Sequence, residues 1–328
     1  MSRPGTPLAG RNTIGPSELR VSPLTLGTNV FGWTISPEES FAVLDAFMEL
    51  GGNSIDSADV YSFWGDGNSG GESERVIGDW MRIRRNRADV VLATKVGAAG
   101  GRFGAMPSLE PDSLRQRVED SLRRLGTETL DLLYLHAEDP GAAPEDTVGV
   151  LDGFVASGMV RHVAVSNYSS DALTTVLRSA RQTGGAAAPV AVQPWWSLLR
   201  RDIEDDLVPA CRDLGLGVIP YWGLEKGFLT GKYRTRGVEP QGPRQERHRP
   251  MDHLTARGER ILAVLDEISA EVDDTPGAVA LAWLLHQPVV PSVIASARTP
   301  GQLRDLAGVG MIRLDADQVE RLNRASRS

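Results

Sequence analysis

The amino-acid sequence predicts an α/β protein built as a single (β/α)8 barrel, the TIM-barrel architecture. Three observations predict it: short apolar runs alternate with amphipathic stretches along the chain, eight such pairs can be laid out in order, and nearly every apolar run ends in a polar or ionisable residue. The chain has 328 residues. That is enough for one barrel of roughly 250 residues or more, so a single domain is expected over 1–328.

The elements follow in sequence order. Residues 8–22 precede the first apolar run and are expected to form a hairpin or plug at the lower end of the barrel. Strands are expected at 24–28, 53–56, 90–94, 130–135, 162–166, 190–193, 217–220 and 292–295. Helices are expected near 37–50, 72–83, 111–125, 145–157, 170–182, 204–214, 257–272 and 300–307. The run over 90–94 is continuously apolar and that over 130–135 nearly so, as in strands buried on both faces. Between them Leu114, Val118, Leu122 and Leu125 recur at steps of four, four and three, which places one stripe on a helix. Pro111 stands where a first-turn proline is tolerated, and Gly126 where a helix can stop. Residues 232–253 are polar, contain Pro and Gly, and show no apolar period, so a flexible loop is expected there. Its stretch 232–249 carries six basic residues against two acidic ones. It reads either as a solvated loop or as a lid facing an anion.

Composition excludes several classes. A net charge of −8 argues against a general nucleic-acid or anionic-membrane surface. The single cysteine, Cys211, excludes an intramolecular disulfide and a thiolate metal cluster. The five histidines show no ligand spacing, and no Gly-x-Ser-x-Gly elbow is present, so neither a metal nor a serine nucleophile is expected. No signal peptide or membrane span is legible, which makes the cytoplasm the expected location.

In a barrel of this kind chemistry sits at the C-terminal ends of the strands. There the sequence places Thr28-Asn29, Asp56 with Tyr61 close behind, Lys95, His136, Ser166-Asn167, Gln193 and Tyr221. Singly, an Asp after a strand is usually a cap, and a Tyr or His near a core is usually packed and hydrogen-bonded. Asp56, Tyr61, Lys95 and His136 fall on three consecutive strand ends, where they would converge over the barrel mouth.

These residues lie in segments that resemble the aldo-keto reductases over essentially the whole chain. The segments are 52–61, 93–96, 131–136, 165–168, 227–233 and 297–303. The resemblance implies hydride transfer from a nicotinamide cofactor to an aldehyde or ketone, with Tyr61 protonating the oxygen. The physics of the cluster agrees. A Lys95 ammonium beside the phenol would favour the phenolate and lower its pKa, Asp56 would hold Lys95, and His136 would donate to the carbonyl oxygen.

No Gly-x-Gly-x-x-Gly follows a strand, so the cofactor site rests on the resemblance alone. It implies NADP(H), with NAD(H) as the alternative. Thr28, Asn29, Asp56, Ser166, Asn167 and Gln193 would meet the nicotinamide end, with Tyr221 stacked on its ring. Leu224, Gly227, Leu229, Thr230 and Lys232 match the loop beside the pyrophosphate. Ser296, Arg298 and Gln302 match the far end, where Thr299, Pro300 and Gln302 also read as a capping box and Arg298 could meet a 2′-phosphate. Three positions depart from the family pattern: Trp222-Gly223 for a common Ser-Pro, Ser296 for glycine or lysine, and Leu306 for an asparagine.

Trp33, Trp64, Trp196 and Trp222 follow strand ends and are expected to wall a substrate site suited to flat or apolar faces. The chain stops soon after the last expected helix, which implies an open, tolerant pocket. The expected partner is a small-molecule carbonyl compound, with no nucleic acid and no membrane; oligomeric state is left open. Two alternatives remain: a reductase of an activated keto-sugar or natural-product intermediate, and a nucleotide-sensing binding module like the channel-associated members of the family.

Overall fold

The structure is a computed structural model that describes residues 6–101, 104–234 and 242–327. Two short antiparallel strands, β1 (Asn12–Thr13) and β2 (Arg20–Val21), come first. Then follow β3 (Leu24–Gly27), α1 (Pro37–Glu49), β4 (Ser54–Asp56), α2 (Glu72–Arg84), β5 (Val91–Val96), α3 (Pro111–Leu125), β6 (Leu130–Leu135), α4 (Pro144–Ala156) and β7 (Val160–Ser166). The second half comprises α5 (Ser170–Gln182), β8 (Ala191–Gln193), α6 (Leu207–Leu214), β9 (Gly217–Val218), α7 (Pro243–His248), α8 (Ala256–Val272), α9 (Pro276–Leu285), β10 (Val293–Ala295), α10 (Pro300–Ala307) and α11 (Ala316–Ser326).

The eight strands β3 to β10 pair in parallel in the order β10-β3-β4-β5-β6-β7-β8-β9, which is the (β/α)8 arrangement the sequence predicts. Closure between β9 and β10 rests on single hydrogen bonds. Ile294 N–H donates to the Pro220 carbonyl at 2.9 Å, and Val218 N–H donates to the Val289 carbonyl at 2.7 Å. Pro220 has no N–H to return, so no regular ladder forms at the seam.

Helices and strands share one large apolar core, while a second cluster fills the barrel. Inside the barrel Ala93, Leu132, Tyr134, Ala164, Ala191 and Ile219 pack together, and the β1–β2 hairpin closes them from below with Ile14, Leu19 and Val21. The turn of that hairpin requires a glycine. Gly15 has φ +45°, and a Cβ there would stand 2.2 Å from the Val190 carbonyl oxygen.

Local chemistry sets the helix ends. Ser36 and Glu39 form a reciprocal capping box on α1 with Pro37 following, and Gly126 ends α3 in the left-handed conformation at φ 62°. On α10 the expected box forms only in part: Thr299 caps Gln302 N–H, but the Gln302 side chain accepts from Arg298 N–H instead.

Two helices depart from expectation. α9 (PGAVALAWLL) is buried on nearly every side, so it has no polar face and no amphipathic period to detect. α11, with an Asp315–Gln318 capping box, lies beyond the last helix the sequence pattern revealed. The segment 232–253 is also not wholly irregular, because α7 and a 3-10 turn at Pro250–His253 occupy its second half. Its residues 235–241 lie outside the described residues. No described helix is long and apolar enough to cross a membrane.

Candidate active site

Parallel register brings the cluster together. Asp56 is level with Ala93 on β5, and Lys95 follows two residues on, pointing to the same side; Lys95 in turn is level with Tyr134 on β6. β5 is longer than the apolar run suggested, so Lys95 sits inside the strand and is 1% exposed. Its Nζ donates to Asp56 Oδ2 at 2.5 Å, to the Ser57 carbonyl at 2.9 Å and to the Tyr61 hydroxyl at 2.9 Å. An ammonium has three donors and no acceptor, so all three are used. The Tyr61 hydroxyl accepts one of these bonds, and Tyr61 lines the adjoining cavity. The other Asp56 oxygen accepts from Gln193 Nε2 at 3.0 Å, from β8 on the far side of the barrel.

The segment between Asp56 and Tyr61 is held from behind. Ser57 N–H donates to the Ala93 carbonyl and Asp59 N–H to the Lys95 carbonyl. Arg117 on α3 donates to Asp59 Oδ2 at 2.9 Å and to the Ala98 carbonyl at 3.1 Å. Burial pushes the Asp59 carboxyl up to about 7 despite the opposing Arg117 charge.

Burial also decides the reacting groups. It pushes the Tyr61 phenol well above its usual 10.0, and the Asp56 charge adds to this. This is opposite to the lowering expected from the sequence, because desolvation comes first and the Asp56 carboxylate acts the same way, by its charge and by a hydrogen bond. Lys95 itself is lowered from 10.5 by burial, with Asp56 opposing. The His136 imidazole is held well below 6.5 by burial, then by the Lys95 and Arg117 charges. Its ring lies 6.1 Å from that of Tyr61, and its Nδ1 is buried without a partner. The cluster is thus a protonated phenol beside a neutral imidazole.

A cavity of about 370 Å³ runs from Tyr61 and Tyr221 to Arg298 and Gln302. It is lined by Asn29, Trp222, Leu224, Gly227, Thr230, Lys232 and Ser296 among the residues expected there. Sequence reasoning missed Lys226, Tyr233, Thr275, Pro276, Gly277 and Asp305, which also line it. Residues 275–277 lead into α9, which carried no periodic signal. Lys226, Lys232 and Arg298 bring three cations to this wall.

The sequence model of the Aldo/keto reductase family matches residues 23–327. This chain belongs to that family. It is similar to norsolorinic acid reductase A of Aspergillus parasiticus, with 32% identity over 98% of this chain and 82% of that protein. It is also similar to norsolorinic acid reductase stcV of Emericella nidulans, with 33% identity over 91% and 74%. The uncharacterized oxidoreductase YrpG of Bacillus subtilis is 31% identical over 94% of each chain. The protein is therefore an oxidoreductase of a family that reduces small carbonyl compounds with NAD(P)H.

In this aldo/keto reductase the residues expected at a nicotinamide end form one hydrogen-bonded group. Ser166 Oγ donates to the Gln193 carbonyl at 2.9 Å. Asn167, at φ 57°, donates to the His136 carbonyl at 2.9 Å and accepts from the Tyr221 hydroxyl at 2.7 Å. Tyr221 is thereby fixed by its edge, and burial pushes its phenol up to about 12. Beyond it the backbone turns through left-handed conformations at Trp222, Glu225, Lys226 and Gly227. Glu225, which sequence reasoning also missed, is 1% exposed and accepts from Ser197 Oγ at 2.5 Å and Trp195 Nε1 at 3.2 Å. Ser296 Oγ donates to Asn29 Oδ1 at 2.7 Å, tying the two ends of the β10–β3 pair.

Several expected residues fall elsewhere: Ser166 and Gln193 are 1% and 2% exposed and, like Asp56 and Asn167, do not line the cavity. Thr28 spends its hydroxyl on the Asp56 carbonyl and Ser73, and Leu229 is fully buried in the core; neither lines the cavity. Trp196 corrects the substrate-wall expectation. It is 1% exposed, stacks edgewise on Trp283 and donates to Glu204, so its ring belongs to the core. Trp195 takes the outward place, 4.6 Å from Trp222, with the Arg200 guanidinium 4.0 Å from its ring.

The remaining aromatics form two arcs at the mouth. One passes from His136 to Tyr61, then to Trp64 at 6.1 Å and from Trp64 to Trp33 at 5.4 Å. The other passes from Trp222 to Tyr221 at 5.5 Å and through the Tyr221 hydroxyl to Asn167.

Proposed function

We propose that this protein is an NADPH-dependent reductase that converts an aldehyde or ketone to the alcohol, with Tyr61 as general acid. The observation that carries the reading is the full use of the Lys95 donors, one of them on the hydroxyl of Tyr61, which lines the cavity beside His136. A phenol whose pKa is raised keeps that proton until the carbonyl oxygen develops charge. His136, neutral and beside Tyr61, offers a second hydrogen bond to the same oxygen and orients it. Asp56 compensates the buried Lys95 charge and is itself oriented by Gln193.

The cavity suits the dinucleotide. Asn167, backed by the buried Ser166, offers its amide to a carboxamide beside Tyr221, which presents a ring anchored at its edge. Lys226 and Lys232 meet a pyrophosphate, while Arg298 beside the start of α10 meets a 2′-phosphate. The bound cofactor supplies the hydride. The departures at Trp222 and Ser296 both fit, since each lines the cavity and Ser296 is tied to Asn29.

The norsolorinic acid reductases among the relatives, together with the aromatic arcs, favour a natural-product intermediate over a simple aliphatic aldehyde as the substrate. The test is NADPH consumption across a carbonyl panel by the wild type and Tyr61→Phe. The variant should lose about 10²–10⁴ in kcat while its NADPH affinity stays within a few-fold. Wild-type turnover by Tyr61→Phe on any accepted carbonyl would sink the assignment.

A further inference from the structure

The two aromatic arcs are joined by an element that is not a strand end. α7 sets the ring of His248 at 6.4 Å from Trp33 with an interplanar angle of 82°, and at 5.4 Å from Trp222 with 74°. These are edge-to-face contacts of the kind aromatic rings prefer. They close the arcs into a collar, which runs back through Asn167 to the His136 carbonyl. The residue before it, Arg247, lays its guanidinium 5.0 Å from the Trp64 ring centroid and 6.0 Å from that of Phe63. Among the described residues no carboxylate pairs with Arg247, and its side chain is exposed. A guanidinium resting on a ring keeps its edge donors available, and they match a carboxylate or phenolate in the plane.

We propose that His248 and Arg247 determine which carbonyl compounds this site accepts: His248 closes a slot for a planar aryl aldehyde or ketone, and Arg247 receives an anionic substituent on the far edge of its ring. This rests on carbonyl reduction at Tyr61, which places the reacting carbonyl at the opposite end of the slot. The aryl plane lies among Trp33, Trp64 and Trp222, and the anion reaches the rim beside Trp64. An uncharged or saturated analogue lacks one of the two contacts.

Binding separates this inference from the chemistry at Tyr61, because it is read without turnover. Calorimetric titrations of the cofactor-bound enzyme would compare 6-methyl-2-naphthoate, its carboxamide and its fully saturated decalin counterpart. The naphthoate should bind about tenfold more tightly than either analogue. Arg247→Met should erase the preference over the carboxamide, and Arg247→Lys should retain part of it. His248→Ala should weaken the naphthoate and the carboxamide alike, with His248→Phe restoring both. A naphthoate preference that survives Arg247→Met, or a decalin acid bound as tightly as the naphthoate, would overturn the proposal. Neither result would touch the role of Tyr61.

Discussion

At the ends of β4, β5 and β6 the cluster of Asp56, Tyr61, Lys95 and His136 is held close to the strands and by its own contacts, whereas the opposite wall is held by loop backbone in left-handed conformations and by cations resting on rings. Two lysines make the contrast concrete. Lys95 Nζ lies 4.7 Å from the Tyr61 ring, is 1% exposed and has three hydrogen-bond partners. Lys226 Nζ lies 5.0 Å from Trp195 and 5.2 Å from Trp222, in a stretch of positive φ that lines the cavity. The same cation–ring contact is a fixed part of a buried network on one side and an adjustable surface on the other.

The same substitution on both sides gives the largest test of this contrast. Lys95→Met leaves the Asp56 carboxylate buried without its partner and should cost about 3–5 kcal/mol of stability, besides most of the activity. Lys226→Met removes a partly solvated contact and should cost about 0.5–1 kcal/mol. Urea midpoints of the two variants measure both values, and equal losses would break the comparison.

Next in size is the far end of the cavity. Arg298→Ala should reduce the preference for NADPH over NADH by about tenfold or more, the worth of one or two charge-assisted hydrogen bonds. Dissociation constants for both nucleotides decide it. Equal weakening of the two would show that Arg298 serves the helix start and not a phosphate.

The smallest expected effect is in the pH profile of kcat for reduction. A phenol raised above 10.0 keeps its proton throughout the alkaline range, and an imidazole lowered below 6.5 stays neutral above that value. The rate of the chemical step should therefore be level as pH rises from 6.5 until Lys95, lowered from 10.5 by burial, loses its charge, and should fall there. A rate still level above pH 10.5 would mean that the Lys95 charge does not assist the phenol.

The strand-end cluster was legible because its signal is local. Asp56, Lys95 and His136 each follow an apolar run directly, and a barrel converts that sequence position into a place at the mouth. The rim was less legible. Trp195 and Trp196 are adjacent and chemically identical, yet one faces the mouth and the other Trp283. Only the packing of α9 decides which. α9 itself escaped notice because a helix buried on all sides has no polar face to mark its period. Glu225 carries no local signal, because its burial depends on Ser197 and Trp195, which reach it from another loop.

By itself the sequence determined the alternation of strands and helices, the family, and the four groups that converge at the strand ends, since all of these follow from residue type and spacing along the chain. Only the tertiary structure decided that Tyr61 lines the cavity, that burial and Asp56 together raise its hold on its proton, and that His248 joins the two aromatic arcs. Those depend on desolvation and on contacts between segments far apart in the chain, and neither is written in the order of the residues.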